Sequence, residues 1–297
     1  MSYQSSSEQN PYMDMKNILT LLDGDSFIYR IVTLHEDELD WGIVKYELDR
    51  YFIKILNDTN AAFYLGFIEG RNRGNFRKEL TRNHPLVPEY KAGRPPKPAW
   101  FWKAAEYLIS RWHFVLVDEI ESDDAICICN KRFKKPTVVG HKEILLHPVM
   151  STHDKDYMQV VGTHFDFVTH VWREVDPIGK VWVDDKGKIR GYGVRFFWSQ
   201  MITGDSTDNV IGIRNARKKL VVETLMSTDS FDELEALVQQ WYIDKYDFNA
   251  DEIYHTNMAL LRLLRDPERG FKIPEPVPYG NIVLTEVEAK PRNYYFE

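Results

Sequence analysis

Residues 144–159 read ILLHPVMSTHDKDYMQ. An apolar run, Ile144 to Met150, leads into Asp154 and Asp156 on either side of Lys155, and Gln159 follows. A short apolar run bounded by polar residues predicts a buried strand. Residues two apart in extended chain share a face, so Asp154 and Asp156 are expected to point one way and Lys155 the other. A polar turn with a helix cap accounts for such a pair, and so does a metal site. The rest of the chain has to decide between them.

The pattern recurs. Asn17 to Leu22 is apolar and ends at Asp23-Gly24-Asp25, and Ala61 to Ile68 ends at Glu69. His113 to Val117 is followed by Glu121, Asp123 and Asp124. Helical periodicity runs over Trp41 to Leu56, Ala99 to Arg111 and Ser122 to Arg132. Short apolar runs alternating with helices predict an α/β fold with a mainly parallel central sheet flanked by helices. Such sheets bind ligands beyond the carboxyl ends of their strands, where these acids fall. Farther on, 166–190 reads as short strands with a hairpin tip at Asp185-Lys186-Gly187. Tyr192 to Ile202 and most of 208–264 read as helices. The expected organisation is a disordered leader over 1–15, an α/β core over 16–203, a helical region over 204–264 and an extended tail over 265–297.

With 297 residues, 43% of them hydrophobic, the chain can bury a large core. The net charge of −7 does not by itself favour nucleic acid, unless the acids gather in one pocket and the bases elsewhere. The two cysteines, Cys127 and Cys129, fall on one predicted helix, which excludes a disulfide framework and suits a reducing compartment. There is no run of about 18 apolar residues and no signal-peptide pattern, so a cytoplasmic protein without membrane contact is expected.

The acids form a constellation: Asp23, Glu69, Glu121 with Asp123 and Asp124, Asp154 with Asp156, and Asp205 with Asp208. Asp205 and Asp208 are three apart and would share a face on a helical turn. Singly, each group reads as a turn or a cap. Together they repel: two like charges about 4 Å apart cost roughly 4 kcal/mol at an effective dielectric of 20. A pocket of carboxylates needs cations, and oxygen-only ligands suit Mg²⁺ or Mn²⁺. A pair of such ions is a common device for phosphodiester hydrolysis.

Residues 71–97 hold eight basic and two acidic side chains within this acidic chain. In Tyr90-Lys91-Ala92-Gly93-Arg94 one helical turn would present Lys91 and Arg94 to a single phosphate, with Pro95-Pro96 ending the helix. A solvated basic loop is the plainer alternative. Arg214, Arg217, Lys218 and Lys219 form a second basic group after Gly212, where a glycine turn into a helix offers backbone N–H groups to phosphate.

In this order the motifs resemble the 5′-nuclease superfamily: flap endonucleases, the 5′-nuclease domain of bacterial DNA polymerase I and, most similar, the phage 5′→3′ exonucleases. The resemblance spans roughly residues 18–225. It rests on Leu22-Asp23-Gly24, Phe76-Arg77-Lys78-Glu79-Leu80 preceded by Glu69, Tyr90 to Arg94, Glu121-Ser122-Asp123-Asp124, Asp154 to Gln159 and Gly204-Asp205-Ser206-Thr207-Asp208-Asn209. It implies a metal-dependent 5′→3′ exonuclease or flap endonuclease acting on DNA, with RNA primers paired to DNA as further substrates and replication proteins as partners. Asp23, Glu121, Asp123, Asp124, Asp154, Asp156, Asp205 and Asp208 would hold two Mg²⁺ ions, with Glu69 standing where the family has Asp. Lys91 and Arg94 would come from a helical arch over 71–100 and stabilise the scissile phosphate. Arg77, Lys78, Tyr90, Arg214, Arg217, Lys218 and Lys219 are the implied nucleic-acid contacts. The segment from Asp208 to Met226 would be a DNA-gripping helix-turn-helix with a bound K⁺, although its turn reads Gly212-Ile213-Arg214-Asn215-Ala216 in place of the family's Gly-Ile-Gly-x-Lys. His153 is one residue more than the family pattern holds. It either bulges the turn, leaving both aspartates in place, or slips the strand and leaves Asp156 alone in the site. A non-catalytic binder of branched DNA, and an RNA nuclease with the same acidic core, are the competing functions.

Overall fold

A computed structural model of the chain describes residues 15–35, 37, 40–71 and 74–280. The expected leader, apart from Met15, and residues 281–297 of the expected tail lie outside them.

The apolar runs become strands. β1 is Ile18–Asp23, followed by helices α1, Gly24–Leu34, and α2, Trp41–Asp58. β2 is Phe63–Glu69, then α3 is Phe76–Thr81, α4 Phe101–Trp112, β3 Val115–Val117 and α5 Ser122–Phe133. A hairpin of β4, Thr137–Val139, and β5, Lys142–Ile144, precedes β6, His147–Ser151, β7, Gly162–Asp166, and β8, Val171–Val175. A second hairpin joins β9, Lys180–Val183, to β10, Ile189–Tyr192, and leads into α6, Gly193–Thr203. The short strands β11, Gly204–Asp205, and β12, Val210–Ile211, precede α7, Lys218–Leu225, α8, Phe231–Tyr246, and α9, Ala250–Leu261. β13 is Val277–Pro278.

β2, β1, β6 and β7 lie side by side in parallel, β3 joins β2 in parallel, and β8 adds an antiparallel edge. The expected mainly parallel sheet is therefore present, and its strands deliver their carboxyl ends to one edge. The core explains the apolar runs: α1, α2 and α4 pack on one face and α5 on the other. β1 is buried at every position, as a strand covered on both faces must be. Helices α6 to α9 share a further core around Met201, Val221, Leu234 and Tyr254.

Two expectations are corrected. The run from Ile144 to Met150 is not one strand: Ile144 closes the β4–β5 hairpin, Leu145 is exposed, and β6 starts at His147. Among the described residues the expected arch holds one short helix, α3, which stops at Thr81, and residues 82–100 run as turns and irregular chain. Prolines at 85, 88, 95, 96 and 98 remove backbone donors and exclude the helical region for the residues before them. The described part of the expected extended tail lies along the body: Phe271 packs on Phe67, and β13 pairs antiparallel with the start of β2.

Candidate active site

Each strand end positions an acid. Asp23 ends β1 and caps α1, accepting from the Ser26 backbone N–H at 3.1 Å, the Ser26 hydroxyl at 2.6 Å and the Thr152 hydroxyl at 3.2 Å. Gly24 lets the helix begin at once, since a Cβ there would stand 2.4 Å from the Phe67 carbonyl oxygen. The tight join places Asp25 against the end of β2, where it accepts from the Glu69 N–H at 2.7 Å and from Lys97 at 2.9 Å. Glu121 and Asp124 form a reciprocal capping box at the start of α5, and Asp123 stands between them in sequence. Asp154 caps a short 3₁₀ turn over Lys155–Gln159 and accepts the Asp156 N–H at 2.9 Å. Asp208 comes from the turn joining β11 to β12. That hairpin closes because Gly212 lies against Gly204, where a Cβ would stand 2.2 Å from the Gly204 nitrogen.

Asp23, Asp25, Glu69, Glu121, Asp123, Asp154, Asp156 and Asp208 line one cleft of about 590 Å³, together with Lys91, Arg94 and Lys97. Lys91 pairs with Glu121 and lies 3.9 Å from Asp208, Arg94 pairs with Asp208, and Lys97 pairs with Asp25. The Tyr90 hydroxyl stands 3.0 Å from both Glu121 and Asp208. Backbone ties hold this loop down, from Lys91 N–H to the Asp208 carbonyl and from the Asn209 amide to the Glu89 carbonyl, both at 2.9 Å.

The carboxylates divide by whether nearby cations outweigh burial. Burial opposes the charge of Glu121, but Lys91 and Arg77 outweigh it and hold its carboxyl down at about 2. Burial likewise opposes the charge of Asp205, but the Lys155 ammonium outweighs it and lowers its pKa. The others move up. Burial, then Asp25, raises Asp23, and burial, then Glu121, raises Glu69 and Asp123. Asp154 is pushed up to about 7 by burial and then by Asp156. Burial also raises Asp156, against the pull of Lys155. Burial works against the Lys91 ammonium, yet Glu121 and Asp208 raise its pKa, so it stays charged. This is a pocket with more negative charge than its side-chain cations neutralise.

Such a donor set, all carboxylate oxygen, fits hard divalent cations and not zinc's usual nitrogen and sulfur ligands. Among the described residues, however, no three of the acids converge as a ready-made ion site. Lys91, Arg94 and Lys97 stand among them instead.

Several sequence expectations change. Asp154 and Asp156 sit on a 3₁₀ turn, not in extended chain, yet both line the cleft. Lys155 does not point away: it reaches Asp156 at 3.1 Å and Asp205 at 2.5 Å. The ladders run unbroken to Leu22↔Ser151 and Ser151↔Phe165, and both aspartates beyond them line the cleft, so Asp156 is not left alone in the site. His153 falls in the turn beyond β6 and meets Asp166 at 3.0 Å. Asp205 ends β11 and Asp208 lies in the hairpin turn that follows, not on a helical turn, and Asp205 faces Lys155 outside the cleft. Lys91 and Arg94 lie on no helix; Lys91 has φ of +57°.

Two implied DNA contacts are buried. Arg77 is 0% exposed, and Tyr90 is covered apart from 3%. Asp124 does not face the cleft: Arg77 grips both its oxygens, at 2.6 and 2.8 Å, and the N–H groups of Glu121 and Leu264 complete its shell. The span from Asp208 to Met226 contains one helix, α7, and not a helix pair. Arg214, Arg217, Lys218 and Lys219 are exposed at its start, and Lys78 is half-buried. Asp25 and Lys97 were missed as site residues, although Asp25 lies two residues past Asp23 in the same motif. Asn75 was missed too; its amide donates to Glu121 at 3.0 Å.

No protein-family model matches the chain. The flap endonuclease Xni of Vibrio vulnificus is 23% identical over 266 residues, covering 86% of this chain and 95% of that protein. Among solved structures, a variant of the bacteriophage T5 flap endonuclease bound to DNA and metal ions superposes with a TM-score of 0.56 at 14% identity, covering 82% of this chain and 89% of that one. The T5 5′-exonuclease with bound zinc ions gives 0.56 at 16% identity, with the same coverage. With its parallel sheet and its acids in sequence order at one sheet edge, the chain has the fold of the T5 5′-exonuclease and is similar over most of its length to a flap endonuclease.

Proposed function

We propose that the chain is a divalent-metal-dependent nuclease that hydrolyses DNA at 5′ ends, nicks or flaps. The observation that carries this reading is the excess of carboxylates in one cleft facing Lys91 and Arg94, in a chain whose relatives include a flap endonuclease and a T5 protein captured with DNA and metal ions.

Asp23, Glu69, Glu121, Asp123, Asp154, Asp156 and Asp208 would hold the ions, with Asp25 beside them; Asp124 is excluded by its bonds to Arg77. Divalent ions held in this way supply a more acidic water and neutralisation of the leaving oxygen. The protein's own part is electrostatic. Lys91 and Arg94 now rest on Glu121 and Asp208. A substrate phosphate offers both a stronger partner, with Arg94 able to grip it through two N–H groups. Exchanging carboxylate for phosphate leaves Glu121 and Asp208 available to cations and puts two positive charges where charge builds during cleavage. Arg214, Arg217, Lys218 and Lys219 would hold duplex phosphates away from the cut.

The test is digestion of 5′-labelled blunt, nicked and flap DNA with Mg²⁺ and with Mn²⁺, and product lengths separate end-trimming from branch cutting. Asp156→Ala is expected to abolish cleavage while DNA binding stays measurable in Ca²⁺. Wild-type cleavage by that variant would remove the proposed metal role. A protein that binds all three DNAs and cuts none would be the non-catalytic binder, and a preference for RNA would show in the same assay with RNA-tipped strands.

A further inference from the structure

A second cavity, of about 370 Å³, shares His153 and Asp154 with the cleft. Two antiparallel ribbons wall it. Across β7–β8, His164 stands opposite Arg173; across β9–β10, Trp182 stands opposite Arg190. Directly opposed residues project from the same face of a ribbon, so each ribbon presents one flat ring and one guanidinium. Met158, Ile189 and Phe196 supply the apolar lining.

The acids of this cavity are largely taken up by the protein. Asp166 accepts from His153 and from the Val168 and Thr169 N–H groups. Asp184 accepts from Arg190 and from the Lys186 and Lys188 N–H groups. Arg173 and Trp182 are exposed. His164 donates through Nε2 to the Val160 carbonyl at 2.7 Å, and its buried Nδ1 has no partner among the described residues. The lining therefore combines an apolar slot, an indole at its edge and guanidinium groups at the rim. Its volume lies in the range of small-ligand sites. Flat rings and guanidinium groups beside apolar walls suit a base with its phosphate, by stacking and by forked hydrogen bonds.

We propose that this cavity is a nucleotide subsite, taking one unpaired nucleotide of a strand whose neighbouring phosphate lies in the cleft. The base stacks on Trp182, and Arg173 and Arg190 hold its phosphate. The choice of ligand rests on the nuclease reading; the shape and charge of the cavity do not.

The test is photocrosslinking with flap DNA that carries 5-bromodeoxyuridine at one unpaired position at a time, in Ca²⁺, with peptide mapping. Free 5-bromodeoxyuridine monophosphate serves as a second probe. One position is expected to crosslink to the peptide containing Trp182. Trp182→Ala should abolish that crosslink and weaken flap binding about 5- to 100-fold, the range of one lost base–aromatic stack. Arg173→Ala, a change at an exposed site, should weaken the crosslink as well, and thermal melts check that both variants fold. Crosslinking by the free monophosphate alone would keep the subsite and make its ligand a released nucleotide. Crosslinks that map elsewhere, with both folded variants binding like wild type, overturn the proposal. A protein that crosslinks at Trp182 but cuts no DNA loses the nuclease reading and keeps the subsite; one that cuts without the crosslink does the reverse.

Discussion

Arg77→Met tests the interior of the fold most directly. All five guanidinium N–H groups of Arg77 are used: two forked bonds to Asp124 at 2.6 and 2.8 Å, one to Glu121 at 3.3 Å, and one each to the Leu260 and Arg262 carbonyls at 3.0 Å. The side chain has no solvent exposure, and neither does Asp124. Arg77 thus ties the base of the 82–100 loop to the acidic start of α5 and to the end of α9. Methionine keeps most of the stem but strands a buried carboxylate and two carbonyls. Removing one partner of a buried pair costs about 3–5 kcal/mol, because the other charge stays buried and uncompensated. Total stability for a domain is roughly 5–15 kcal/mol, so the loss is a large fraction of it. Urea unfolding, followed by tryptophan fluorescence and circular dichroism, should show the midpoint falling by about 1–2 M if the slope is near 3 kcal/mol per M. The difference should persist at high salt, since buried pairs are screened little. Arg77→Met with Asp124→Leu should recover part of the loss. An unchanged midpoint, combined with weaker DNA binding and a shallower salt dependence, would refute the reasoning and return Arg77 to the DNA-contacting surface.

Lys91→Ala is expected to slow single-turnover cleavage far more than it weakens DNA binding; equal losses in both would make Lys91 a binding residue only. Arg217→Ala should reduce the slope of log affinity against log salt by roughly 1, since each phosphate contact contributes about 0.9, and an unchanged slope would take the α7 start out of the DNA interface. His164 supplies a pH dependence. Burial lowers its pKa to about 4 from an ordinary 6.5, so below pH 6.5 the unfolded chain binds the proton and the folded one does not. Stability is lost as pH falls from about 6.5 to 4, by up to roughly 3 kcal/mol. Carboxyls with raised pKa act in the opposite sense over that range, so the measurement is the difference between wild type and His164→Leu. Parallel stability curves for the two would remove His164 as the source.

Much of the architecture was legible in the chain. β1, β2 and β6 announce themselves as apolar runs ended by acids, because a strand covered on both faces has no room for polar residues until it reaches the sheet edge. That same rule located Asp23, Glu69 and Asp154. The arrangement of residues 71–100 was not legible, since a basic, proline-rich stretch has the same composition whether it is solvated or folded onto an acidic cleft. Arg77 and Lys78 are adjacent in sequence, yet one is buried and the other is not.

The sequence by itself determined the α/β class, the order of the acids and the positions at which they leave the strands, because these follow from local periodicity and from side-chain type. Only the tertiary structure decided which charges meet. Asp124 turns inward to Arg77 while Asp123, its neighbour, faces the cleft. Lys155 reaches Asp205, fifty residues on, and Lys91 lies among carboxylates drawn from other strands. Such pairings depend on distances across the fold, where low dielectric and lost hydration set the energy of a charge, and no local pattern in the chain encodes them.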